Sequence, residues 1–432
     1  MPIQISDTEC QFEREPLIRP FGLKGGYMNS IWQVAARMES SGGVQGMGLG
    51  TQNVLWSDRR VFTSTAEAEG NCLMFAITAF ALRQARGRSF DTPIDLQEQI
   101  FDEVYAYGQK ITGQPGLNKT FVLNAMVAVD NAAWMVYARE NGLSGFDDLI
   151  PAVYRPAFTH RHDKVASIPI ASYGMPLDEV QKLVEVDGYI ILKFKLGSPG
   201  SQQEMLEQDK ARIEQVHKAV GHIRVSHTKD GKLPYYFDPN GRYESKDTLS
   251  RLLDHAKKIG AFDQVYILEE PFPEEYTMDV GDLGVLVAAD ESAHTAENVG
   301  ERIQMGYGAI ALKAAAKTLS MTMKMALTAH RHDIPCFCAD LTVNPVLVDW
   351  NKNVAARLGP VPGFDVGLLE TNGHQNYKRW ETMKSYHPRA GSPWIDSQEG
   401  VFHLDDDFYD CSGGILEESP HYRSILNMEP TS

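Results

Sequence analysis

Cysteine is scarce in this chain, and so is positive charge. The five cysteines (Cys10, Cys72, Cys336, Cys338 and Cys411) are odd in number and scattered over 432 residues. That excludes a disulfide framework and makes a reducing cytoplasm the expected location. Cys336-x-Cys338 is weak as a metal motif, and two core cysteines in an apolar strand are the better reading. Lysine and arginine number 41 against 57 acids, a net charge of −16. This balance excludes a general nucleic-acid binder, which carries a basic patch or stripe. It argues equally against an anionic membrane surface as partner. No run approaches the roughly 18 apolar residues of a membrane span. Residues 1–14 are acidic and polar, without the apolar core of a signal peptide. Also missing are a G-x-G-x-x-G or Walker sequence after any strand-like run and any low-complexity tract.

What is present is an ordinary globular composition, 43% hydrophobic and 23% charged, in a chain too long for one small core. Two domains, or one large barrel with an attachment, are expected. Residues 11–50 hold alternating runs broken by Gly25-Gly26 and by Ser40-Ser41-Gly42-Gly43, the pattern of a strand meander. The Gly-rich stretch 21–28 fits a mobile loop over a substrate as well as a plain hairpin turn, and residues 53–56 would form a second such loop. Helical periodicity follows over 66–86, 94–110 and 118–140.

From residue 166 the rhythm changes. Short apolar runs at 168–173, 189–196, 235–238, 264–269, 285–290, 309–313, 335–339 and 365–369 alternate with amphipathic stretches. The run at 264–269 alone is followed by a short connection. Eight strands with intervening helices predict a (β/α)8 barrel or a variant lacking one helix, with an open doubly wound sheet as the alternative. Residues 394–410 read as polar strand and turn, separate from the barrel.

The charged residues fall at the ends of these runs, where a barrel builds its active site. Lys193 and Lys195 share one face of a strand, opposite Leu192, Phe194 and Leu196. Both lysines therefore point into the barrel mouth, and side by side they should depress each other's pKa. Asp238 and Asn240 share a face in the same way. Of Glu269/Glu270 and of Asp290/Glu291 only one each can face inward, and periodicity does not say which. Acids at strand ends often cap the next helix, but three in series between lysines form an oxygen-rich cage for a hard cation. Lys313 follows Ala309 and Ala311 on its face, which leaves room beneath it.

These motifs in this order (Lys-x-Lys, Asp-x-Asn, Glu-Glu-Pro, Asp-Glu-Ser and a strand-end lysine) resemble the enolase superfamily, in its muconate lactonizing enzyme and dipeptide epimerase branch, related to mandelate racemase. The likeness covers 166–317 and extends more loosely over the N-terminal part. It implies an α/β fold, a (β/α)7β-type modified TIM barrel with an α+β N-terminal capping domain. The cap would span 1–145, the barrel 166–390, and 391–432 would pack back toward the cap. It implies Asp238, Glu269 and Asp290 as ligands of one Mg²⁺. It makes Lys195 the base on one substrate face, tuned by Lys193, with Lys313 the acid/base on the other. The implied chemistry is removal of a proton α to the carboxylate of a small-molecule substrate, with an enediolate stabilised by the metal.

Two opposed lysines suit racemisation or epimerisation. The same pair would serve a dehydratase acting on an acid sugar, and a non-catalytic metal-binding barrel is a third reading. Asn240, Tyr27, His374 and Glu370 are the expected substrate contacts. The chain departs from the family in two places. Lys317 is followed by Thr318-Leu319 instead of Lys-x-Gly-Gly, and the eighth-strand end reads Glu370-Thr371-Asn372 where dipeptide epimerases carry Asp-x-Asp. The seventh strand end has no histidine, so the lysine branch fits better than the mandelate racemase branch. Homo-oligomerisation stays open.

Overall fold

The computed structural model describes residues 2–23 and 26–426. Lys24 and Gly25 of the Gly-rich stretch, and residues 427–432 of the C-terminal segment, lie outside the described residues. The N-terminal part is an antiparallel meander of Ile3–Leu23, Gly26–Ser40 and Gln45–Gln52, edged by the short strand Ser89–Phe90. Three helices, Glu67–Ala85, Pro93–Thr112 and Lys119–Glu140, pack on it. The strand Gln45–Gln52 carries glycine at alternate positions because helix Lys119–Glu140 lies directly on it. A Cβ at Gly48 would meet Ala128 O and Ala132 N, each at 2.2 Å.

That helix corrects one expectation. By length and composition it would be able to cross a membrane, but 94% of its apolar window is buried inside the protein. Its polar residues reach the barrel: Asp130 accepts from Ser320 N at 3.1 Å and from the Ser320 hydroxyl, and Trp134 Nε1 donates to Ser320 Oγ at 3.1 Å.

The barrel strands are, in order, Lys164–Ile168 with Ile170–Ala171, then Leu192–Lys195, Tyr235–Asp238, Val265–Glu269, Val287–Ala289, Ala309–Leu312, Cys336–Cys338 and Gly367–Glu370. Each pairs in parallel with the next. The ring closes through strand one, which is interrupted at Pro169, a residue with no N–H to give a ladder. Its first half pairs with strand eight (Glu370↔Ile168) and its second with strand two (Ile170↔Lys193). Helices follow strands one, two, three, five, six and seven. The segment after strand four has none among the described residues, as the short connection predicted.

Residues 394–410 are not separate from the barrel. Val401–His403 adds an antiparallel strand to strand one, Val401 opposite Ala166. Further on, His421 Nε2 lies 2.9 Å from Glu13 of the meander, so the C-terminal segment ties barrel to cap.

Alternation decides what faces inward. Ile191, Tyr236, Ile267, Ala288, Ala311, Phe337 and Leu368 fill the barrel interior, while their neighbours Leu192, Phe194, Phe237, Leu268, Leu312, Cys336, Cys338 and Leu369 belong to the larger core shared with the helices. Both cysteines are free and buried.

Candidate active site

One step beyond the apolar interior, the same parity puts Lys193, Lys195, Asp238, Glu269, Asp290, Lys313 and Glu370 at the C-terminal mouth, all of them buried. The two ambiguous pairs resolve to Glu269 and Asp290. Glu270 turns instead toward strand five, where one carboxylate oxygen accepts from Asp290 N (2.9 Å) and from the backbone and hydroxyl of Ser292. Glu291 accepts from Asn240 Nδ2 at 2.9 Å.

Lys193 lies among three carboxylates: Asp238 at 2.9 Å, Glu370 at 2.6 Å, and Glu269. Burial disfavours its ammonium, but these charges outweigh burial and carry its pKa well above the ordinary value. The expected depression by a like-charged neighbour is therefore reversed for Lys193. The three carboxylates in direct contact outweigh the like charge of Lys195. Lys195 bonds to Asp238 and donates to Asn240 Oδ1 at 3.0 Å. Asp238 is driven toward neutrality by burial, yet Lys193 and Lys195 hold it well below the usual carboxylate range. On the far side Asp290 is gripped by two lysines one helical turn apart. Lys313 is 2.7 Å from Oδ2, and Lys317 donates to the backbone carbonyl at 2.7 Å and lies 3.3 Å from Oδ1. Burial is again overridden, and Asp290 is strongly acidic.

Lys317 and Asp340 join the site in addition to the residues that strand alternation and the resemblance point to. Asp340, at the end of strand seven, is pushed up to about 7 by burial and by the charge of Glu370. It accepts from Thr342 N at 3.0 Å. Thr342 has φ +68°, a strained conformation for a β-branched residue, and its hydroxyl bonds Asn372 Oδ1 at 2.5 Å. The cap supplies Phe21, Asn53 and Trp56. The Trp56 ring stands 4.6 Å from Lys313 Nζ, and Asn53 caps its own short helix while donating to Leu341 O at 3.3 Å.

The expected substrate contacts separate into three groups. Asn240 and Glu370 line the cavity between Lys195 and Lys313. Tyr27 lines a different, outer pocket. His374 lines neither: it bonds the Tyr189 hydroxyl at 2.7 Å and stacks on that ring, and burial lowers its pKa to about 4. Its placement as a substrate contact is corrected accordingly.

The three acids suit a hard divalent cation by donor chemistry, since all are oxygen ligands from adjacent strands. Among the described residues no three His, Cys, Asp or Glu side chains already stand as a metal centre; Lys193 occupies the space between Asp238 and Glu269. Two observations favour the fit. Glu269 Oε1 is buried with no hydrogen-bond partner. The Glu269 pKa is also raised well above normal by burial and by the Asp238 charge. A cation would satisfy the first and reverse the second.

Residues 177–361 match the family model described as "Enolase C-terminal domain-like". No curated protein sequence matches the chain. Solved structures do. A mandelate racemase/muconate lactonizing protein from Herpetosiphon aurantiacus superposes with a TM-score of 0.65 at 16% identity, covering 94% of this chain and 97% of that one. A dipeptide epimerase from Enterococcus faecalis V583, complexed with Mg and the dipeptide L-Leu-L-Tyr, gives 0.63 at 14%, with 93% and 97% covered. An N-succinyl Arg/Lys racemase from Bacillus cereus ATCC 14579 gives 0.61 at 16%, with 88% and 89% covered. At these identities the likeness is one of fold, and it spans cap and barrel together.

Proposed function

We propose that this chain, whose residues 177–361 match the enolase C-terminal domain-like model and whose fold is similar to that of a mandelate racemase/muconate lactonizing protein, is an isomerase that removes and returns a proton α to a carboxylate. The observation that carries this is the position of two lysines. Lys195 ends strand two and Lys313 follows strand six, four strands apart in an eight-stranded ring, and both line one cavity.

A substrate carboxylate entering between them meets the site from the side of Asp238, Glu269 and Asp290. These are the residues that would hold a divalent cation, which when bound would draw electron density from that carboxylate and acidify the α-carbon. One lysine enters neutral and takes the α-proton at Nζ. The other enters as an ammonium and gives a proton to the opposite face, so the pair keeps its proton count and the centre inverts. Lys193 stays cationic among its carboxylates and fixes the Asp238 side of the site. Trp56 and Phe21 from the cap exclude water. The relatives' printed names, epimerase and racemase, support this outcome.

Dehydration of an acid sugar is the weaker reading. It needs several free hydrogen-bonding groups on the eighth-strand loop, but Asn372 is bonded to Thr342, His374 to Tyr189, and Gln375 to the Ile170 backbone, which leaves the buried Thr371 hydroxyl as the one unpartnered side-chain group of these four. Mg²⁺ dependence and a cytoplasmic location belong to this proposal, the latter supported by five free cysteines. The test is incubation with Mg²⁺ in D₂O against a panel of amino acids, N-acyl amino acids and acid sugars. Deuterium at the α-carbon with inversion supports the isomerase, and a keto acid product would replace it with the dehydratase.

A further inference from the structure

The cap helix Glu67–Ala85 has no charged residue from Gly70 to Leu82. A helix this apolar all round is normally buried all round. Within this chain only one side of it is covered. Met74, Ile77, Ala81 and Ala85 belong to the cap core, whereas Cys72 is exposed and Leu73, Ala76, Ala79 and Phe80 are only half-buried. Charge returns at the two ends of this outer face, as the exposed Glu69 and the exposed Arg83.

We infer that this face is the contact between two copies of the chain, in which the helix packs antiparallel on itself across a two-fold axis at Ala76. At about 100° per residue, Glu69, Cys72, Ala76 and Arg83 fall within about 60° of arc, one narrow seam. Glu69 and Arg83 are each seven residues from Ala76. The axis therefore sets Glu69 of one copy opposite Arg83 of the other, and does so twice. That is the self-complementarity an isologous contact demands. The small side chain of Ala76 at the crossing point lets the two helix axes come close.

The groups at both ends are oriented before any partner arrives. Phe80 stacks on Tyr107 of helix Pro93–Thr112 with ring centroids 4.0 Å apart, and the Arg83 guanidinium lies over the Phe80 ring at 5.6 Å. Glu69 accepts from Ala66 N at 3.4 Å. Arginine and aromatic side chains fixed on an apolar face are the groups that anchor protein contacts. At a net charge of −16, two copies repel at long range, so their pairing depends on this uncharged face and its matched ends.

Sedimentation of the full chain at micromolar concentration tests this. The wild type should run as a dimer or an even multiple of it. Glu69→Arg and Arg83→Glu should each raise the dissociation constant at least about tenfold, because like charges then meet at both ends. The double variant should restore it. An equimolar mixture of the two single variants should pair as a heterodimer, since each copy offers the charge the other lacks. A second measurement locates the axis. The two Cys72 residues would stand about 12 Å apart along the helices, beyond disulfide reach, so the wild type should not cross-link through them. Ala76→Cys combined with Cys72→Ser should give a covalent dimer on mild oxidation. A monomeric wild type, single reversals without effect, a double variant that stays apart, or cross-linking through Cys72 and not through position 76 would each overturn the interface.

Discussion

Lys195 and Lys313 approach one cavity from opposite arcs of the barrel, each paired to a different carboxylate, Asp238 for the first and Asp290, at 2.7 Å, for the second. Each should therefore own one stereochemical face. Lys195→Ala should abolish α-deuterium exchange from one enantiomer and spare residual exchange from the other. Lys313→Ala should show the opposite preference. Each loss should be about 10²–10⁴-fold, the usual worth of a positioned acid or base. Proton NMR in D₂O on single enantiomers reads this directly. If both variants lost both half-reactions equally, the assignment of faces would be wrong.

Glu269 has a buried oxygen without a hydrogen-bond partner and a raised pKa caused by burial and Asp238. Mg²⁺ should therefore bind with release of a proton and raise the melting temperature in a concentration-dependent way. EDTA should return that temperature to the metal-free value. Glu269→Gln should weaken Mn²⁺ binding, followed by electron paramagnetic resonance, by at least about tenfold, as loss of a ligand must match or exceed loss of an outer partner. Unchanged Mn²⁺ affinity would remove Glu269 from the ligand set.

Much of this site was legible in the chain. Period-two alternation separated Lys193 and Lys195 from Leu192, Phe194 and Leu196, and the structure keeps that division. The same rule stops at the last strand residue, which is why Lys317 escaped it. Lys317 reaches Asp290 from the short helix Ala314–Lys317, and its only sequence signal was spacing: four residues after Lys313, on the same helical face. Asp340 is visible at the seventh strand end, but its orientation depends on a bond from Thr342 N and its protonation on Glu370, which belongs to another strand. The reversal at Lys193 has a similar cause. Its like-charged neighbour is two residues away in sequence, whereas the carboxylates that dominate it come from strands three, four and eight.

His374 and Asp130 should make stability depend on pH with opposite signs. The His374 pKa falls from 6.5 to about 4 through burial, so the folded state binds fewer protons than the unfolded chain between those values. Its contribution is present above pH 6.5 and is lost as pH falls toward 4. Asp130 rises from 3.8 to about 6, burial outweighing its bonds to Ser320. The folded state then binds more protons, and stability declines as pH rises from about 4 to about 6. Each effect is worth roughly 3 kcal/mol at most. Asp340 and Glu269, also raised by burial, add to the Asp130 slope, and His374 opposes it. In urea unfolding between pH 4 and 6.5, His374→Gln should therefore make stability fall more steeply with rising pH than in the wild type, and Asp130→Asn should make it fall less steeply. A variant profile parallel to the wild-type one would mean that the substituted group is not buried as described.

The closest approach in the cap gives a prediction about folding alone. Strand Gln45–Gln52 lies so near helix Lys119–Glu140 that a methyl at Gly48 would press on two backbone atoms, Ala128 O and Ala132 N. Neither is the end of a flexible side chain, so the helix must move as a body. Overpacking of this kind typically costs 1–3 kcal/mol, with backbone clashes at or above about 3 kcal/mol. The same helix carries Asp130 and Trp134, which bond Ser320 on the barrel, and a neighbouring turn carries Asn124, which holds Asn53 at the cavity. Gly48→Ala should thus lower the urea midpoint and, in the protein that remains folded, raise KM more than it lowers kcat, because the cap that closes the cavity is displaced while the barrel lysines stay in place. Gly43→Ala is the control for composition. Gly43 has φ +82° and nothing within 4 Å of a Cβ, so its cost is backbone strain of about 1 kcal/mol without a change in KM. Equal KM values for both variants would show that the cap helix does not position the site.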